Sequence, residues 1–491
     1  MAALSEALDT ACRDFGSAVA LLGESIQLSY ADLGKRARAV AALLLDAGLA
    51  ANEPVHVHVS NQPHDVVALF GVWLAGGVAV PIHRTTPAEV AEMFHQRTRA
   101  RFLIDLQSAR IDGAALSSIA ADRPPQRPLL GGAACIVFTS GSTGAPKGVV
   151  IAHDTFAAKI EQIDTLLGFG AGERTLLVLN ITFSFGLWVS LLTLLRGGTL
   201  VMQPKFEPDA FLRALAEERI SRVGMVPTMM RVLFADARHD AAIDRVTQQA
   251  DLRQILIGGE SLGQSLAQTI RRRFARTDLV DIYGLTETAT CDFFGFPADY
   301  ARYPGSIGRP SPNVRYRIAD AHGNAVTVGA IGELQIRSPY LMRGYLDAPE
   351  LTAAAYQDGW FRTGDLAREV DGQVVELMGR LKEVISRGGN KVTPAEIEQS
   401  ICSHSDVAAA MAVGIDDALL GERIHLLIVP RAGALLDIET LRRHLETRLE
   451  RYKHPDAFYL AEALPLGRTG KADRAQFKAL IGSAELVPVQ R

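Results

Sequence analysis

The sequence predicts an α/β protein with a large N-terminal domain and a smaller, mobile α+β C-terminal domain. Its 491 residues are too many for a single hydrophobic core. The first hundred residues alternate between helix and strand patterns, which is typical of a doubly wound sheet. From about residue 305 hairpin patterns replace this alternation, and the segment after Arg380 has the pattern of a separate α+β unit.

The composition is that of an ordinary globular protein, with 48% hydrophobic and 22% charged residues and a net charge of −4. This charge gives no general attraction to nucleic acid or to an anionic membrane surface. The longest apolar run, 185–195, is about half a membrane span, and no signal-peptide pattern is visible, so we expect a cytoplasmic protein. The four cysteines follow no metal-ligand spacing, which indicates a reducing compartment.

The first α/β unit opens with a helix that Ser29 can cap and that ends near Gly48. Strands and helices then alternate, with strands expected at 55–59, 78–82 and 102–104 and helices at 65–75 and 87–98. This succession predicts a parallel sheet with helices on both faces.

A second α/β unit follows the proline-rich connector at 123–128. Its strands are expected at 222–226, 254–257 and 281–283, and the turn at 258–261 is expected to open a helix. The large domain should therefore contain two doubly wound α/β subdomains.

Hairpin signals dominate the next segment. Strand patterns occur at 314–318, 332–336, 366–370 and 373–377. Asp371 and Gly372 separate the last two strands and form a strong type I′ turn signal. These hairpins predict a small β-barrel-like subdomain, which completes an N-terminal domain of residues 1–381.

Residues 382–491 are expected to form the C-terminal domain. Thr393 and Glu396 have the spacing of a capping box, with Pro394 at the first helical position. Apolar residues at 438, 441, 445 and 449 predict a second amphipathic helix. The glycine-bounded loop Gly467–Lys471 follows near the end of the chain.

The segment Thr139–Gly148 combines three glycines, several hydroxyl groups and Lys147 between two short apolar strand patterns. Glycine lets backbone N–H groups approach a phosphate, hydroxyls donate hydrogen bonds, and lysine adds a positive charge. The segment is not a Walker A loop, because Pro146 stands where that motif requires its second glycine. A plain surface turn is the alternative, but the strands on both sides favour a phosphate-binding loop.

Five further segments are weak signals when taken singly, since each could be an ordinary turn. They are Gly284–Glu287, Thr363–Asp365, Gly379–Arg380, Arg387–Gly389 and Gly467–Lys471. They supply a hydroxyl–carboxylate pair suited to Mg²⁺, an aspartate suited to ribose hydroxyls, a hinge-like segment and a terminal lysine. Their order and kind favour a common site over a series of unrelated turns.

In this order and spacing the segments resemble the motifs of the acyl-adenylate-forming superfamily of acyl-CoA synthetases, adenylation domains and luciferases. The resemblance covers nearly the whole chain. The matching motifs are Leu28–Tyr30 with Asp32 and Leu33, Leu74–Pro81, Thr139–Gly148, Tyr283–Thr288, Gly332–Leu334, Tyr356–Asp365, Gly379–Glu383 and Gly467–Lys471.

The resemblance implies that a carboxylate attacks the α-phosphate of ATP, which gives an acyl-adenylate and pyrophosphate. The implied ATP-binding residues are Thr139, Ser140, Gly141, Ser142, Thr143, Gly144 and Lys147 at the phosphates, Gly259, Glu260, Tyr283 and Gly284 around the adenine, and Asp365 and Arg380 at the ribose. The implied catalytic residues are Lys471, Thr286 and Glu287, with Mg²⁺ bound by Glu287.

The resemblance also implies that the small domain swings about a hinge at Lys382. Lys471 would bridge the carboxylate and the α-phosphate in the first half-reaction. After the swing, Arg387, Gly388 and Gly389 would line a passage through which a thiol reaches the adenylate. One site would thus alternate between two half-reactions.

The implied acyl pocket consists of Phe183, Ser184, Trp188, Gly224, Val226, Gly258, Thr288 and Cys291. Family members that activate α-amino acids have an aspartate where Ser184 stands, and a neutral hydroxyl cannot offset a buried ammonium. The apolar and aromatic set suits an aryl or short-to-medium aliphatic carboxylate. Trp188 fits an ordinary core position of its helix equally well. Many CoA ligases have histidine in place of Phe183.

No carrier domain is recognisable after Lys471, so the thiol is expected to come from another molecule, and coenzyme A is the first choice. The expected function is therefore an ATP-dependent carboxylic acid–CoA ligase. The alternative is a stand-alone adenylation enzyme that loads a separate acyl carrier protein. A luciferase-like oxidative enzyme is a further alternative. A catalytically inactive binding module is disfavoured, because Glu287 and Lys471 are both present.

Overall fold

A computed structural model describes residues 4–106, 115–139, 146–249, 251–431, 433–434, 436–467 and 472–489. The helices are α1 Leu4–Asp14, α2 Tyr30–Asp46, α3 Pro63–Leu74, α4 Ala88–Thr98, α5 His153–Leu167, α6 Ser184–Leu195, α7 Pro208–Glu217, α8 Pro227–Ala235, α9 Asp240–Gln248, α10 Gln264–Arg273, α11 Pro297–Arg302, α12 Pro349–Ala354, α13 Pro394–Cys402, α14 Ile438–Glu446 and α15 Arg474–Gly482. None of these helices is both long and apolar enough to cross a membrane.

In the part of the chain that the structure describes, the strands form four sheets. They are β1 Val19–Leu22, β2 Gln27–Ser29, β3 Pro54–Val59, β4 Val78–His83, β5 Phe102–Ile104, β6 Leu116–Ser118, β7 Ala133–Thr139, β8 Lys147–Ala152, β9 Arg174–Leu177, β10 Thr199–Met202, β11 Arg222–Met225, β12 Gln254–Gly258, β13 Asp278–Tyr283, β14 Phe293–Gly295, β15 Arg309–Pro310, β16 Arg315–Ala319, β17 Gly332–Arg337, β18 Gly344–Tyr345, β19 Tyr356–Gln357, β20 Trp360–Asp371, β21 Val374–Arg380, β22 Ile385–Arg387, β23 Asn390–Val392, β24 Val407–Asp417, β25 Gly421–Pro430 and β26 Ala457–Leu460.

Two large sheets form the body of the N-terminal part. One has the strand order β15-β14-β13-β12-β11-β9-β10-β1-β2, and the other has the order β18-β8-β7-β4-β3-β5-β6. The central strands of both sheets are parallel, and their edges are antiparallel. Since parallel strands are covered on both faces, their residues are almost all buried, as in β3 and β4. The two predicted doubly wound subdomains are confirmed.

The first long helix begins as predicted. The Ser29 hydroxyl accepts a hydrogen bond from the Asp32 amide at 3.1 Å, and the Asp32 carboxylate accepts from the Ser29 amide at 3.2 Å. This reciprocal pair is a capping box, which satisfies amides that have no partner within the helix.

The turn at 258–261 does not open a helix directly, so this prediction is wrong. Helix α10 begins only at Gln264, after Gly259 and Gly263 have both taken positive φ angles, of 87° and 73°. The carboxylate of Glu260 lies against another helix instead, where it accepts from the Thr228 amide at 2.9 Å and so caps α8.

The predicted β subdomain is a five-stranded antiparallel sheet in which β20 pairs with β17, β19 and β21. Its hairpin turn lies one residue later than predicted. Gly372 and Gln373 occupy the two turn positions, with φ angles of 46° and 75°. A type I′ turn requires positive φ at both positions.

The C-terminal part has a core of its own. Its sheet has the order β23-β22-β25-β24, with β26 pairing with β25, and the helices α13, α14 and α15 pack on it. The two apolar clusters around β24 and β25 are built from residues 385–486 alone. The domain boundary between 381 and 382 stays a prediction that this separate core supports.

The capping box predicted at the start of α13 does not form. Thr393 is the residue before the helix and Pro394 is its first residue, but the Thr393 side chain makes no capping hydrogen bond. Glu396 accepts from the Lys453 ammonium at 2.5 Å instead. A charged partner competes better for the carboxylate than a neutral amide does.

A buried acid on β13 makes the stability of this protein depend on pH. Burial raises the pKa of Asp281 from its ordinary 3.8 to about 7, and the hydrogen bond from the Tyr300 hydroxyl, at 2.8 Å, lowers it only in part. The folded state therefore binds a proton that the unfolded state releases above pH 4. This contribution is fully present below pH 4 and is lost as the pH rises through about 7.

We expect Asp281→Asn to remove this pH dependence, because an amide does not ionise. Between pH 4 and pH 8 the free energy of unfolding, measured by urea titration, should fall by up to about 4 kcal/mol more in the wild type than in the variant. The exposed Asp278→Asn, on the same strand, is the control and should keep the wild-type slope. Equal slopes for all three proteins would contradict the assignment.

Candidate active site

The predicted phosphate loop connects two paired strands. β7 and β8 are antiparallel, and Thr139 lies directly opposite Lys147. The strand–turn–strand prediction is confirmed for the strands, whereas Ser140, Gly141, Ser142, Thr143 and Gly144 lie outside the described residues. Two neighbouring strands thus bring the two ends of this loop together.

Helix α4 supports this hairpin from one side. The Phe94 ring stacks on Phe138 with their centroids 4.0 Å apart, and the Arg97 guanidinium donates to the Pro146 carbonyl at 2.5 Å. Neither contact was predicted, because the partners are more than forty residues apart in the sequence. Arg97 therefore holds the exit of the loop.

The turn after β13 brings the second motif to the site. Thr286–Thr288 form a single 3-10 turn. A Cβ added to Gly284 would lie 2.2 Å from the Cys291 amide nitrogen, so only glycine fits there. The chain then returns through β14, which pairs with β13.

Tyr345 joins the two motifs. Its hydroxyl donates to Glu287 Oε1 at 3.0 Å, and the Lys147 ammonium lies 5.1 Å from the centre of its ring. The Glu287 carbonyl also accepts from the Met342 amide at 2.7 Å. A carboxylate and a lysine from distant parts of the sequence are thereby held beside one tyrosine.

Glu287 fits the role of a Mg²⁺ ligand. It is partly exposed, and within the described chain its Oε2 atom has no hydrogen-bond partner. Mg²⁺ usually keeps several waters and binds one or two carboxylates together with substrate phosphates. The described residues contain no cluster of three or more metal-ligating side chains.

Tyr283, Asp365 and Arg380 form a second polar group. The Tyr283 hydroxyl donates to Asp365 Oδ2 at 2.7 Å, and Arg380 Nε lies 3.0 Å from Oδ1. Asp365 and Arg380 face each other across the β20–β21 hairpin. Burial raises the pKa of Asp365, while Arg380 and the Tyr283 hydroxyl lower it. Asp365 also raises the pKa of Arg380.

Glycine is required where β12 ends beside β13. A Cβ on Gly258 would lie 2.2 Å from the Ile282 carbonyl oxygen. Gly259 follows with a positive φ, and Glu260 lies 3.7 Å from the Arg231 guanidinium in addition to capping α8. The predicted adenine-binding segment is therefore fixed at the carboxyl ends of neighbouring parallel strands.

The structure brings only part of the predicted acyl pocket together. The Ser184 hydroxyl lies 3.3 Å from that of Thr286, at the start of α6. A Cβ on Gly224 would lie 3.0 Å from Leu179 and 3.8 Å from Phe185. Phe183 and Val226 are the residues directly before α6 and α8. Gly258 lies at the end of the neighbouring strand.

Three other predicted pocket residues are fully buried. Trp188, Thr288 and Cys291 have no exposed surface. The Trp188 ring stacks on Phe185, with centroids 5.6 Å apart, and meets Phe169 edge-on. Trp188 therefore packs as core in this arrangement, and the Thr288 hydroxyl is bonded within its own turn.

Arg387, which is predicted to line the thiol passage, is bonded within the C-terminal part of the chain. Its guanidinium lies 2.6 Å from Asp456 Oδ1 and donates to the Tyr452 carbonyl at 2.9 Å. Gly388 and Gly389 are exposed and have positive φ angles, of 56° and 82°. Lys382 is exposed in the turn that precedes β22. Lys471 lies outside the described residues.

A buried ion pair that the sequence did not predict lies behind the turn. Lys159 on α5 lies 3.3 Å from Asp292, and neither side chain is exposed. The available signal was a lysine between Phe156 and Ile163 on the apolar face of its helix. Asp292 gave no signal, because its partner is 133 residues away.

Comparison with known proteins identifies a family. A sequence profile described as AMP-binding enzyme matches residues 8–346, and one described as AMP-binding enzyme C-terminal domain matches residues 396–471. A feruloyl-CoA synthase of Amycolatopsis sp. is 31% identical over 470 residues, covering 93% of this chain and 94% of that protein. An indoleacetate–CoA ligase of Aromatoleum aromaticum is 30% identical over 490 residues, covering 92% and 93%.

Among solved structures, the amide bond synthetase McbA from Marinactinospora thermotolerans superposes with a TM-score of 0.84 at 26% identity. The match covers 97% of this chain and 99% of that one. The sequence matches and the structural superposition thus each cover nearly the whole chain. The chain belongs to the AMP-binding enzyme family.

Proposed function

We propose that this chain is an ATP-dependent carboxylic acid–CoA ligase that forms an acyl-adenylate and then an acyl thioester. The observation that carries the proposal is the meeting of Lys147 and Glu287 beside Tyr345. A cation next to the phosphate loop and a carboxylate able to bind Mg²⁺ are the two groups that a triphosphate substrate requires. The two CoA ligases that this chain resembles support the choice of reaction.

In the first half-reaction the acid's carboxylate attacks the α-phosphorus of ATP, and pyrophosphate leaves. Lys147 and the phosphate loop would hold the β- and γ-phosphates, and the Thr286 hydroxyl would face the α-phosphate. Asp365, beside Arg380, would accept hydrogen bonds from the ribose hydroxyls. Glu287 would hold Mg²⁺, whose positive charge would offset the negative charge that develops on the phosphates.

Lys471 would hold the two reacting anions together, because a carboxylate and a phosphate repel each other until a cation lies between them. Its loop lies in the part of the chain that we propose to be mobile. The separate core of residues 385–486 supports a domain that moves as a unit about Lys382.

In the second half-reaction a thiolate attacks the acyl carbon, and AMP leaves. Arg387 would first have to give up Asp456, since that pair holds its guanidinium in the present arrangement. Gly388 and Gly389, with positive φ angles, supply the backbone freedom that such a rearrangement needs. We infer that this exchange accompanies the swing of the small domain.

The acid is proposed to be an aryl or short-to-medium aliphatic carboxylate. Ser184 stands 3.3 Å from Thr286 and offers a hydroxyl where an ammonium-binding carboxylate would be needed for an α-amino acid. Phe185 lies over Gly224 and provides an apolar surface. The named substrates of the two CoA ligases above, ferulate and indoleacetate, are aryl acids.

The alternative function differs from the proposed one in the molecule that accepts the acyl group. A stand-alone adenylation enzyme would carry out the same first step and load a separate acyl carrier protein. One structural relative is an amide bond synthetase, whose name implies an amine acceptor.

Pyrophosphate release should be measured across aryl and aliphatic acids, with and without CoA. One acid should give CoA-dependent turnover and an acyl-CoA product.

Two results with this panel of acids would contradict the proposal. If an acid supports pyrophosphate exchange and CoA adds nothing, the ligase proposal is wrong and the acceptor is another thiol or an amine. If no acid supports exchange, the adenylation step itself is wrong.

We expect Lys471→Ala to abolish most of the first half-reaction and to spare the second. Loss of one positioned charge at a reacting phosphate lowers the rate by about 100-fold or more. ATP–pyrophosphate exchange measures the first step, and thioester formation from a synthetic acyl-adenylate measures the second. Lys478→Ala, an exposed lysine of the same domain, is the control. Wild-type exchange in Lys471→Ala would overturn the role of this lysine.

A further inference from the structure

Lys159 and Asp292 form a fully buried ion pair behind the Thr286–Thr288 turn. The Lys159 ammonium lies 3.3 Å from Asp292 Oδ1, donates to the Ser311 hydroxyl at 3.1 Å, and lies 5.1 Å from the ring centre of Tyr340. Taking two charges out of water costs about as much as their attraction returns. Stability alone therefore does not account for this pair.

The second oxygen of Asp292 connects the pair to the turn. Asp292 Oδ2 accepts a hydrogen bond from the Thr288 hydroxyl, whose oxygen accepts in turn from the Leu285 amide at 3.2 Å. The Asp292 amide donates to the Tyr283 carbonyl at 2.7 Å. The Thr288 hydroxyl has a single proton and lies within hydrogen-bond distance of both Asp292 Oδ2 and the Leu285 carbonyl. An ionised carboxylate is a stronger acceptor than a carbonyl, so the proton is assigned to the bond with Asp292. Asp292 thus contacts both ends of the turn, with its amide at Tyr283 and with its carboxylate at Thr288.

The backbone between these contacts is strained. Ala289, Thr290 and Cys291 have successive φ angles of 54°, 71° and 53°. Residues with a Cβ disfavour this left-handed region, and such strain persists only where the surrounding structure imposes it. The amides of Ala289 and Thr290 donate back to Thr286 and Leu285, at 3.1 and 2.8 Å. The strained segment therefore carries the main-chain bonds that shape the turn.

We propose that Lys159 and Asp292 are positioning residues that hold this turn in the conformation presenting Thr286 and Glu287 to ATP. Lys159 keeps Asp292 ionised inside the protein, and the ionised carboxylate retains the Thr288 hydroxyl. Burial raises the pKa of Asp292 to about 6, against the lowering effects of Lys159 and Thr288, so without the ammonium the carboxylate would protonate more readily. The proposal rests on the adenylation function proposed above.

Two double variants separate positioning from stability. One variant combines Lys159→Met with Asp292→Asn, and the other combines Lys159→Met with Asp292→Leu. Each removes the two charges, and the Asn and Leu side chains at position 292 are similar in volume. Only Asn keeps an oxygen that can accept from the Thr288 hydroxyl. Both proteins should unfold near the wild-type temperature, since apolar or neutral replacement of a whole buried pair is tolerated.

We expect the Leu form to lose about 100-fold in the rate of ATP–pyrophosphate exchange, the loss typical of a reacting group displaced by about an ångström. Its KM for the acid and its thioester formation from a synthetic acyl-adenylate should stay near wild type. The Asn form should recover most of the exchange rate. The matched control is the distant, partly buried pair Arg101 and Glu53, 2.7 Å apart, replaced by Met and Gln. This control should keep wild-type exchange.

Equal exchange rates in the Leu and Asn forms, high or low, would overturn the positioning role, as would a loss confined to thioester formation. If the Leu form does not fold, Thr288→Val removes the same hydrogen bond without touching the pair, and wild-type exchange in that variant would overturn the proposal. An absence of exchange in the wild type with every acid would instead overturn the adenylation function, and the positioning role with it.

Discussion

The buried contact between Lys159 and Asp292 fixes the position on which the site depends. Helix α5 supplies the lysine, and the chain leaving β13 supplies the aspartate, so the pair ties one subdomain to the strand end of the other. Three left-handed residues, each disfavoured by about 1–2 kcal/mol, are held in place beside it. The parallel sheet places the turn after β13 at the carboxyl end of that strand. Side-chain contacts then give the turn its shape.

The rest of the site is built onto that edge by long-range contacts. Tyr345 lies on β18, which pairs with β8 of the phosphate-loop hairpin, and its hydroxyl donates to Glu287, so one tyrosine contacts both motifs. Tyr283, at the end of β13, reaches Asp365, which faces Arg380 near the start of the small domain. Asp365 is buried, so its carboxylate depends on the charge of Arg380 and on the hydrogen bond from Tyr283. The nucleotide site and the domain junction are thereby connected.

Local sequence signals were sufficient for much of the fold. Ser29 begins a helix because its hydroxyl reaches an amide three residues on, and the β7–β8 hairpin follows from two apolar runs around a glycine-rich loop. The local pattern predicted the wrong contact where a side chain binds a residue that is distant in the sequence. Glu260 caps a helix 32 residues away, and Glu396 binds Lys453 instead of completing its own capping box. Asp292 could not be found from the sequence, because its partner lies on another subdomain.

The most direct test of the account follows the oxygen atoms of the acid. If the carboxylate attacks the α-phosphorus of ATP and a thiol then attacks the acyl carbon, an acid labelled with ¹⁸O in both carboxylate oxygens should leave one ¹⁸O in AMP. Mass spectrometry of the nucleotide after turnover measures this transfer. One labelled oxygen in the AMP phosphate is the predicted result. Unlabelled AMP, or label in inorganic phosphate with ADP as product, would contradict the acyl-adenylate mechanism.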